Sequence, residues 1–332
     1  MIKLGIIGAG RIAKVHARSI GRTEGAILVA TFDQDYGRAN QLAESFGGCA
    51  FEKIEYFWES PVDAVVVCVP TFFHKKFTLD AIRAGKHVLC EKPIASNLAE
   101  AEEMIISAEK GKVRFMVGHV LRFHPAFCRI KKLLQEGYLG SIQHLHASRL
   151  SGAAQSSWEQ WLLDRPEGLG VLDLTIHDLD FIHWVLGRTS SVMASGIANA
   201  QGNFLHIDTL LKFPNGTKAS TEGSFLLPRQ HPFQYELRIL GEKGSISFAY
   251  RGTTYHDPQA DMEILCYMNE KIESIEIPAM DPYEDELRYF LHCIGADKKI
   301  EIGTGEDSKV ALELALAARR SSELGFPVGL QK

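Results

Sequence analysis

The run Asp63-Ala-Val-Val-Val-Cys-Val69 limits the fold more than any other feature of this 332-residue chain. From Ala64 to Val69 every side chain is apolar or a thiol, so the strand it predicts needs cover on both faces. Strands of that kind belong to parallel sheets, whose crossover helices lie on either side. The neighbouring segments supply such crossovers. Strand Lys3–Ile7 precedes helix Arg11–Ile20, and strand Ile27–Phe32 precedes helix Tyr36–Phe46. Helix 74–84, strand His87–Cys90, helix Leu98–Lys110 and strand Val113–Val117 follow the central run. This alternation predicts a doubly wound parallel α/β sheet over residues 1–121.

The first strand-to-helix turn reads Gly8-Ala-Gly10-Arg-Ile-Ala13, a G-x-G-x-x-A pattern. Gly8 permits the tight turn, Gly10 lets the backbone approach a pyrophosphate, and small Ala13 lets the helix pack on the sheet. Helix-opening N–H groups, here around Arg11 and Ile12, attract a diphosphate by hydrogen bonding and by the helix dipole. Glycine-rich turns alone are weak evidence. Here the turn follows a strand, opens a helix, and is followed by Asp33 at the end of the second strand, the context that the dinucleotide fingerprint requires. Residues 1–121 are therefore expected to form a Rossmann dinucleotide-binding domain. The Asp33 carboxylate suits ribose hydroxyls and repels a 2′-phosphate, which favours NAD. Arg38 is near enough in sequence to leave NADP open. Asp35 is the expected cap of the second helix.

Past residue 121 the pattern changes. Helix Pro125–Glu136, strand Ile142–Leu150 and a helix near 171–186 precede a series of strand candidates from 190 to 277. Turns such as Pro214-Asn-Gly216 separate them. Residues 122–332 are expected to form an α+β domain with a large, mostly antiparallel sheet and helices on one face. Two closing helices, Pro282–Ile294 and Glu306–Leu324, suit either domain.

Composition excludes several partners. A formal net charge of −5 offers no basic excess for a nucleic-acid backbone. No run approaches the ~20 apolar residues that span a bilayer, and the N-terminus enters a strand rather than a secretion signal. The six cysteines form no CxxC pair, which points to reduced thiols and a cytoplasmic setting. Among thirteen histidines none falls in a metal-ligand spacing with a nearby acid. His144 and His146 would share one strand face, for which a polar surface is the plainer reading.

Two constellations suit redox chemistry. Glu91-Lys92-Pro93 follows strand His87–Cys90 at the carboxyl edge of the sheet, where α/β sheets bind ligands. From there the Lys92 ammonium can reach the nicotinamide ribose and stabilise an alkoxide that forms as hydride leaves. The alternative is a solvated lysine on a surface turn. Asp173 and His177 lie four apart on helix 171–186 and share a face. An aspartate can orient an imidazole that takes the proton of a secondary alcohol; the alternative is a bridging helix pair.

Taken together, Gly8-Ala-Gly10, Pro70-Thr-Phe-Phe-His74, Glu91-Lys92-Pro93 and Gly170-Val-Leu-Asp173-Leu-Thr-Ile-His177 resemble the Gfo/Idh/MocA oxidoreductase family over nearly the whole chain. The resemblance implies a nicotinamide cofactor and a polyol, inositol-like, sugar or sugar-derivative substrate. It also implies a second-domain open sheet that assembles homo-oligomers. It makes Lys92, Asp173 and His177 the catalytic set, places Pro70, Thr71, His74 and Glu91 at the cofactor, and implies a cis peptide before Pro93. Arg122, Trp161 and Tyr283 are lesser substrate-site candidates; Arg122 equally suits a tie between domains. Phe72 and Phe73, and Gly168-Leu169-Gly170, depart from the family pattern and leave the substrate open. Two other readings are kept: a reductase of a non-sugar substrate on the same fold, which need not keep the catalytic set, and a nicotinamide-sensing regulator without turnover, which predicts its loss.

Overall fold

The computed structural model describes residues 1–152, 163–164, 169–253, 257 and 260–330. The chain divides into two compact units: residues 1–124 with 280–312, and residues 125–279 with 313–332.

The first unit holds a six-stranded sheet built from β1 (Ile2–Ile7), β2 (Ala26–Phe32), β3 (Cys49–Phe51), β4 (Ala64–Val67), β5 (His87–Glu91) and β6 (Phe115–Gly118). Its order is β3-β2-β1-β4-β5-β6, and every pairing is parallel. The order reverses between β1 and β4, the switch point at which such sheets bind ligands. All four residues of β4 are fully buried, as its unbroken apolar run requires. The helices are α1 (Arg11–Arg22), α2 (Tyr36–Phe46), α3 (Ile54–Glu59), α4 (His74–Arg83) and α5 (Leu98–Gly111). Asp35 caps α2 by accepting from the Arg38 amide. Two short elements, β3 and α3, have no counterpart in the sequence reading, being too brief for a periodicity to show.

The second unit begins with α6 (Pro125–Gln135) and β7 (Ile142–Gly152), and continues with α7 (Leu172–Leu186). Strands β8 (Ser191–Ala198), β9 (Phe204–Lys212), β10 (Lys218–Leu227), β11 (Phe233–Gly241), β12 (Gly244–Gly252), β13 (Asp261–Met268) and β14 (Lys271–Ile275) follow. Together with β15 (Val328–Gly329) they form a nine-stranded sheet, ordered β14-β13-β12-β11-β7-β10-β9-β8-β15. It is antiparallel except where β7 runs parallel to β10. Helices α6 and α7 cover one face. Phe127 of α6 meets Phe181 of α7 edge-on at 4.8 Å and Phe248 of β12 at 5.5 Å. The alternation along each strand leaves Met193, Ile197, Leu210, Leu240 and Tyr267 exposed on the other face.

The two closing helices are α8 (Pro282–Gly295) and α9 (Gly305–Leu324). The division differs here from a single break after residue 121: the chain leaves the first unit at His124 and returns to it at Met280. The physical reason is apolar. Leu287, Phe290 and Leu291 of α8 are buried in one cluster with Leu4, Ile6, Ala13 and Val66 of the parallel sheet and its first helix. Among the described residues no helix is long and apolar enough to cross a membrane.

Candidate active site

The glycine turn has the geometry its pattern predicts. Gly8 sits at φ +92°, and a Cβ there would come within 2.6 Å of the Cys68 carbonyl oxygen, so only glycine fits. Gly10 differs: a Cβ there would meet nothing within 4 Å. It is the N-cap of α1 and offers no side chain to the first-turn amides of the helix. No side chain of the N-cap residue covers the amides at Arg11 and Ile12, which carry the positive end of the helix dipole. Ala13 is fully buried in the sheet core. Asp33 closes the turn: its Oδ2 accepts from the Ala9 amide at 2.7 Å and its Oδ1 from the Asp35 amide at 2.9 Å. Each oxygen keeps a lone pair for a ribose hydroxyl. The Arg38 guanidinium lies 3.3 Å from the Asp35 carboxylate. An open cradle at a helix N-terminus, followed by an acid, fits a dinucleotide. Gly10, Arg11 and Ile12 would hold its diphosphate and Asp33 its adenosine ribose.

Lys92 follows directly after β5, half-buried, and its peptide bond to Pro93 is cis. Three side chains hold this turn. Glu91, buried at the strand end, accepts from the Lys92 amide with Oε2 at 3.2 Å. Its Oε1 lies 2.7 Å from His16 Nε2 on α1. Burial alone would raise the Glu91 carboxyl. The hydrogen bond from His16, the charges of His16 and Lys92 and the Lys92 amide together hold it below the usual carboxylate value. His74, also buried, places Nδ1 2.7 Å from the Pro93 carbonyl oxygen and Nε2 2.8 Å from that of Val69. It ties the exit of β4 to the lysine turn. A neutral imidazole supplies one of these two donors, and the imidazolium both. Pro70 and Thr71 are half-buried at the same exit, where Thr71 opens a short 3-10 turn leading into α4.

Asp173 and His177 lie in the first two turns of α7, which is buried over most of its circumference. Asp173 is half-buried and His177 is 8% exposed. Two glycines let this helix start close to the sheet. Gly170, at φ +57°, passes the backbone of Phe204, where a Cβ would come within 2.4 Å of its carbonyl oxygen. A Cβ on Gly223 of β10 would strike Thr175 at 2.3 Å. The helix is then pinned by an ion pair that sequence reasoning missed. Arg149 Nε of β7 donates to Asp178 Oδ2 at 2.7 Å, both side chains being almost completely buried. Burial raises the Asp178 carboxyl above its usual value, although Arg149 pulls it down. The Arg149 guanidinium also lies over the Tyr235 ring at 4.8 Å. An arginine at an inward position of a strand was the available signal, because burial there demands a partner.

The lesser candidates fall elsewhere. Arg122, 3% exposed, pairs its guanidinium with Asp307 at 2.9 Å, which joins the exit of β6 to the first turn of α9 within the first unit. Tyr283 is buried on α8 with its ring edge-on to His16 at 5.5 Å. Trp161, with Trp158 beside it, lies outside the described residues.

Comparison with known proteins agrees with this geometry. Residues 2–119 match the model of the oxidoreductase family with an NAD-binding Rossmann fold, and residues 127–247 match the Gfo/Idh/MocA C-terminal domain. The chain is 30% identical to the uncharacterized oxidoreductase YrbE of Bacillus subtilis, over 99% of this chain and 97% of that protein. It belongs to the Gfo/Idh/MocA oxidoreductase family. A second relative, the myo-inositol 2-dehydrogenase of Thermotoga maritima, is 31% identical over 100% of this chain and 99% of its own. Among solved structures, the aldose-aldose oxidoreductase of Caulobacter crescentus superposes with a TM-score of 0.87 at 24% identity, covering 99% of each chain. This Gfo/Idh/MocA protein is thus an NAD-binding oxidoreductase. Its cofactor, when bound, accepts or donates the hydride.

Proposed function

We propose that this enzyme moves a hydride between the nicotinamide and a carbon bearing a secondary hydroxyl or keto oxygen. The substrate proposed is a polyol of the inositol kind, a sugar or a sugar derivative. The observation that carries the reading is the lysine turn. A cation on a turn held by Glu91 and His74, just beyond a central parallel strand, is preorganised for oxyanion stabilisation. Lys92 stabilises the alkoxide as hydride leaves carbon, His177 takes the hydroxyl proton, and Asp173, one turn earlier on the same helix face, orients the imidazole and supports its charged form. In the reverse direction His177 returns that proton to the oxygen. Full-length likeness to a relative named for myo-inositol supports the polyol class.

Two finer features belong to the same proposal. NAD is favoured over NADP, because the Asp33 carboxylate opposes a 2′-phosphate while Arg38 is turned to Asp35. The exposed sheet face joins copies of the chain in a homo-oligomer. Met193 and Leu210 stand side by side there, in register with the polar Ser220, His146 and Arg238, and an exposed apolar pair beside polar groups suits an interface.

The test is to titrate the protein with NAD and NADP and follow nicotinamide reduction across inositols, monosaccharides and nucleotide sugars. Turnover with NAD on one class, lost in Lys92→Ala and His177→Ala, upholds the reading. Tight NAD binding with no turnover on any of them counts against it and favours a sensing role. Light scattering on the purified protein checks the oligomer; a monomer removes that part.

A further inference from the structure

The first unit buries a carboxyl group that the proposed reaction does not use. Glu286 lies in the second turn of α8, is 0% exposed, and neither of its side-chain oxygens has a hydrogen-bond partner. An unpaired buried carboxylate is very costly, whereas a buried carboxylic acid needs only one acceptor for its proton. Its surroundings supply one. Tyr283, one turn earlier on the same face of α8, sets its ring edge-on to His16 of α1. His16 is 1% exposed and bonds Glu91 with Nε2, while its Nδ1 is left without a partner. A buried ring nitrogen without a partner and a buried acid without a partner thus sit on two helices that pack together. The acids near Glu286 are Glu91 at the end of β5 and the Cys68 thiol just beyond β4, and His16 on α1 lies against Tyr283 of the same helix as Glu286. Burial keeps the Cys68 thiol neutral, and a charge on Glu286 would add a second negative charge near that of Glu91.

We propose that Glu286 is a positioning residue for the lysine turn: a neutral carboxylic acid whose proton, shared toward His16 Nδ1 through one bridging water, fixes the His16–Glu91 bond that holds Lys92. Burial, and then the nearby Glu91 charge, push the Glu286 carboxyl well above its ordinary value of 4.5. The His16 tautomer follows from the network. With the acid donating to Nδ1, the imidazole hydrogen stays on Nε2 and Glu91 keeps its donor. Loss of the Glu286 proton would put two carboxylates in one dry cluster and free His16 to turn away from Glu91. The inference rests on the reading of Lys92 as catalytic, but the state of Glu286 is measurable without turnover.

Three readouts on the full-length protein test it. The infrared spectrum near neutral pH is expected to show a neutral-acid carbonyl band that Glu286→Gln removes; absence of such a band in the wild type overturns the proposal. A folded carboxyl value above the unfolded one makes stability fall as pH rises past 4.5, until the buried group itself ionises. Glu286→Gln is therefore expected to be more stable than wild type above that pH by a margin that grows with pH. A margin that does not change with pH also overturns it. Third, Glu286→Leu is expected to lower kcat about tenfold to a hundredfold, the scale of a displaced catalytic group, with unchanged NAD affinity. Glu286→Gln restores most of this and loses the alkaline decline. A Leu variant with wild-type kcat overturns the positioning role. If the wild type turns nothing over, the dehydrogenase reading fails while the infrared and stability readouts still decide the state of Glu286.

Discussion

The lysine turn and the Asp173–His177 helix are both largely buried, yet they are held in place by different means. The turn begins where β5 ends, so the backbone ladder gives it nothing further. Its order comes from side chains reaching in from elsewhere: Glu91 and His16 on one side, His74 on the other. The helix satisfies its own backbone and needs only to be docked. It does so through two close glycine contacts and one buried ion pair, Arg149–Asp178. A group on a turn needs a hydrogen-bonded frame, whereas a group on a helix needs one anchor and a flat place to rest. The two arrangements should therefore fail differently: damage to the frame lowers catalysis, while damage to the anchor lowers stability.

The largest effects come from the reacting groups themselves. Lys92→Ala and His177→Ala should each cut kcat by about 10²–10⁴-fold, with NAD dissociation constants measured by fluorescence changing little for His177→Ala. A variant of either that retains full turnover removes it from the mechanism. Next comes the anchor. Asp178→Ala breaks the buried ion pair with Arg149 and should cost about 3–5 kcal/mol in chemical denaturation. The Arg149→Met, Asp178→Leu pair should recover much of this, because it removes both buried charges of the pair. If the double variant is no better than the single one, the pair does more than anchor.

The frame comes third. His74→Ala should cost about 1–3 kcal/mol of stability for the partners it strands, with a larger proportional fall in kcat than in NAD affinity. Equal falls would mean that His74 serves the cofactor rather than the turn. A fourth, smaller effect is at Asp33. Replacement by Ala removes hydrogen bonds to a charged acceptor worth about 1.5–3 kcal/mol, so NAD binding should weaken about tenfold to a hundredfold while NADP binding weakens less. The smallest is a pH effect at Glu91. Its folded carboxyl value is depressed, so its contribution is present above its ordinary value of 4.5 and is lost as pH falls through the folded value. The stability gap between wild type and Glu91→Gln should accordingly close on acidification below pH 4.5.

The parallel sheet was legible because its signals are local. The apolar run at β4, Gly8 and Asp33 each sit in a short window: β4 is buried, Gly8 takes the positive φ of the turn, and Asp33 closes that turn by accepting from the Ala9 amide. The frame around Lys92 was not legible, because it joins residues far apart in sequence. His16 reads as one more residue on an amphipathic helix, and Glu286 as an exposed acid. Both are buried where α1 packs against α8. Arg122 shows the same limit: its spacing suggested a ligand or a tie, and its partner is Asp307, 185 positions further along. The second sheet was predicted as mostly antiparallel, and the parallel neighbour of β7 escaped because strand order is not written in periodicity.

The return of residues 280–312 to the first unit has a consequence for biosynthesis. The ribosome finishes β6 and then makes residues 125–279 of the second unit before α8 emerges to cover Leu4, Ile6 and Val66. At elongation rates of about 5–20 residues per second, the nascent parallel sheet waits on the order of ten to forty seconds for its last layer. During that interval its apolar surface is a substrate for chaperones. A message broken anywhere before codon 312 yields an incomplete nucleotide-binding unit rather than an intact one with a missing neighbour.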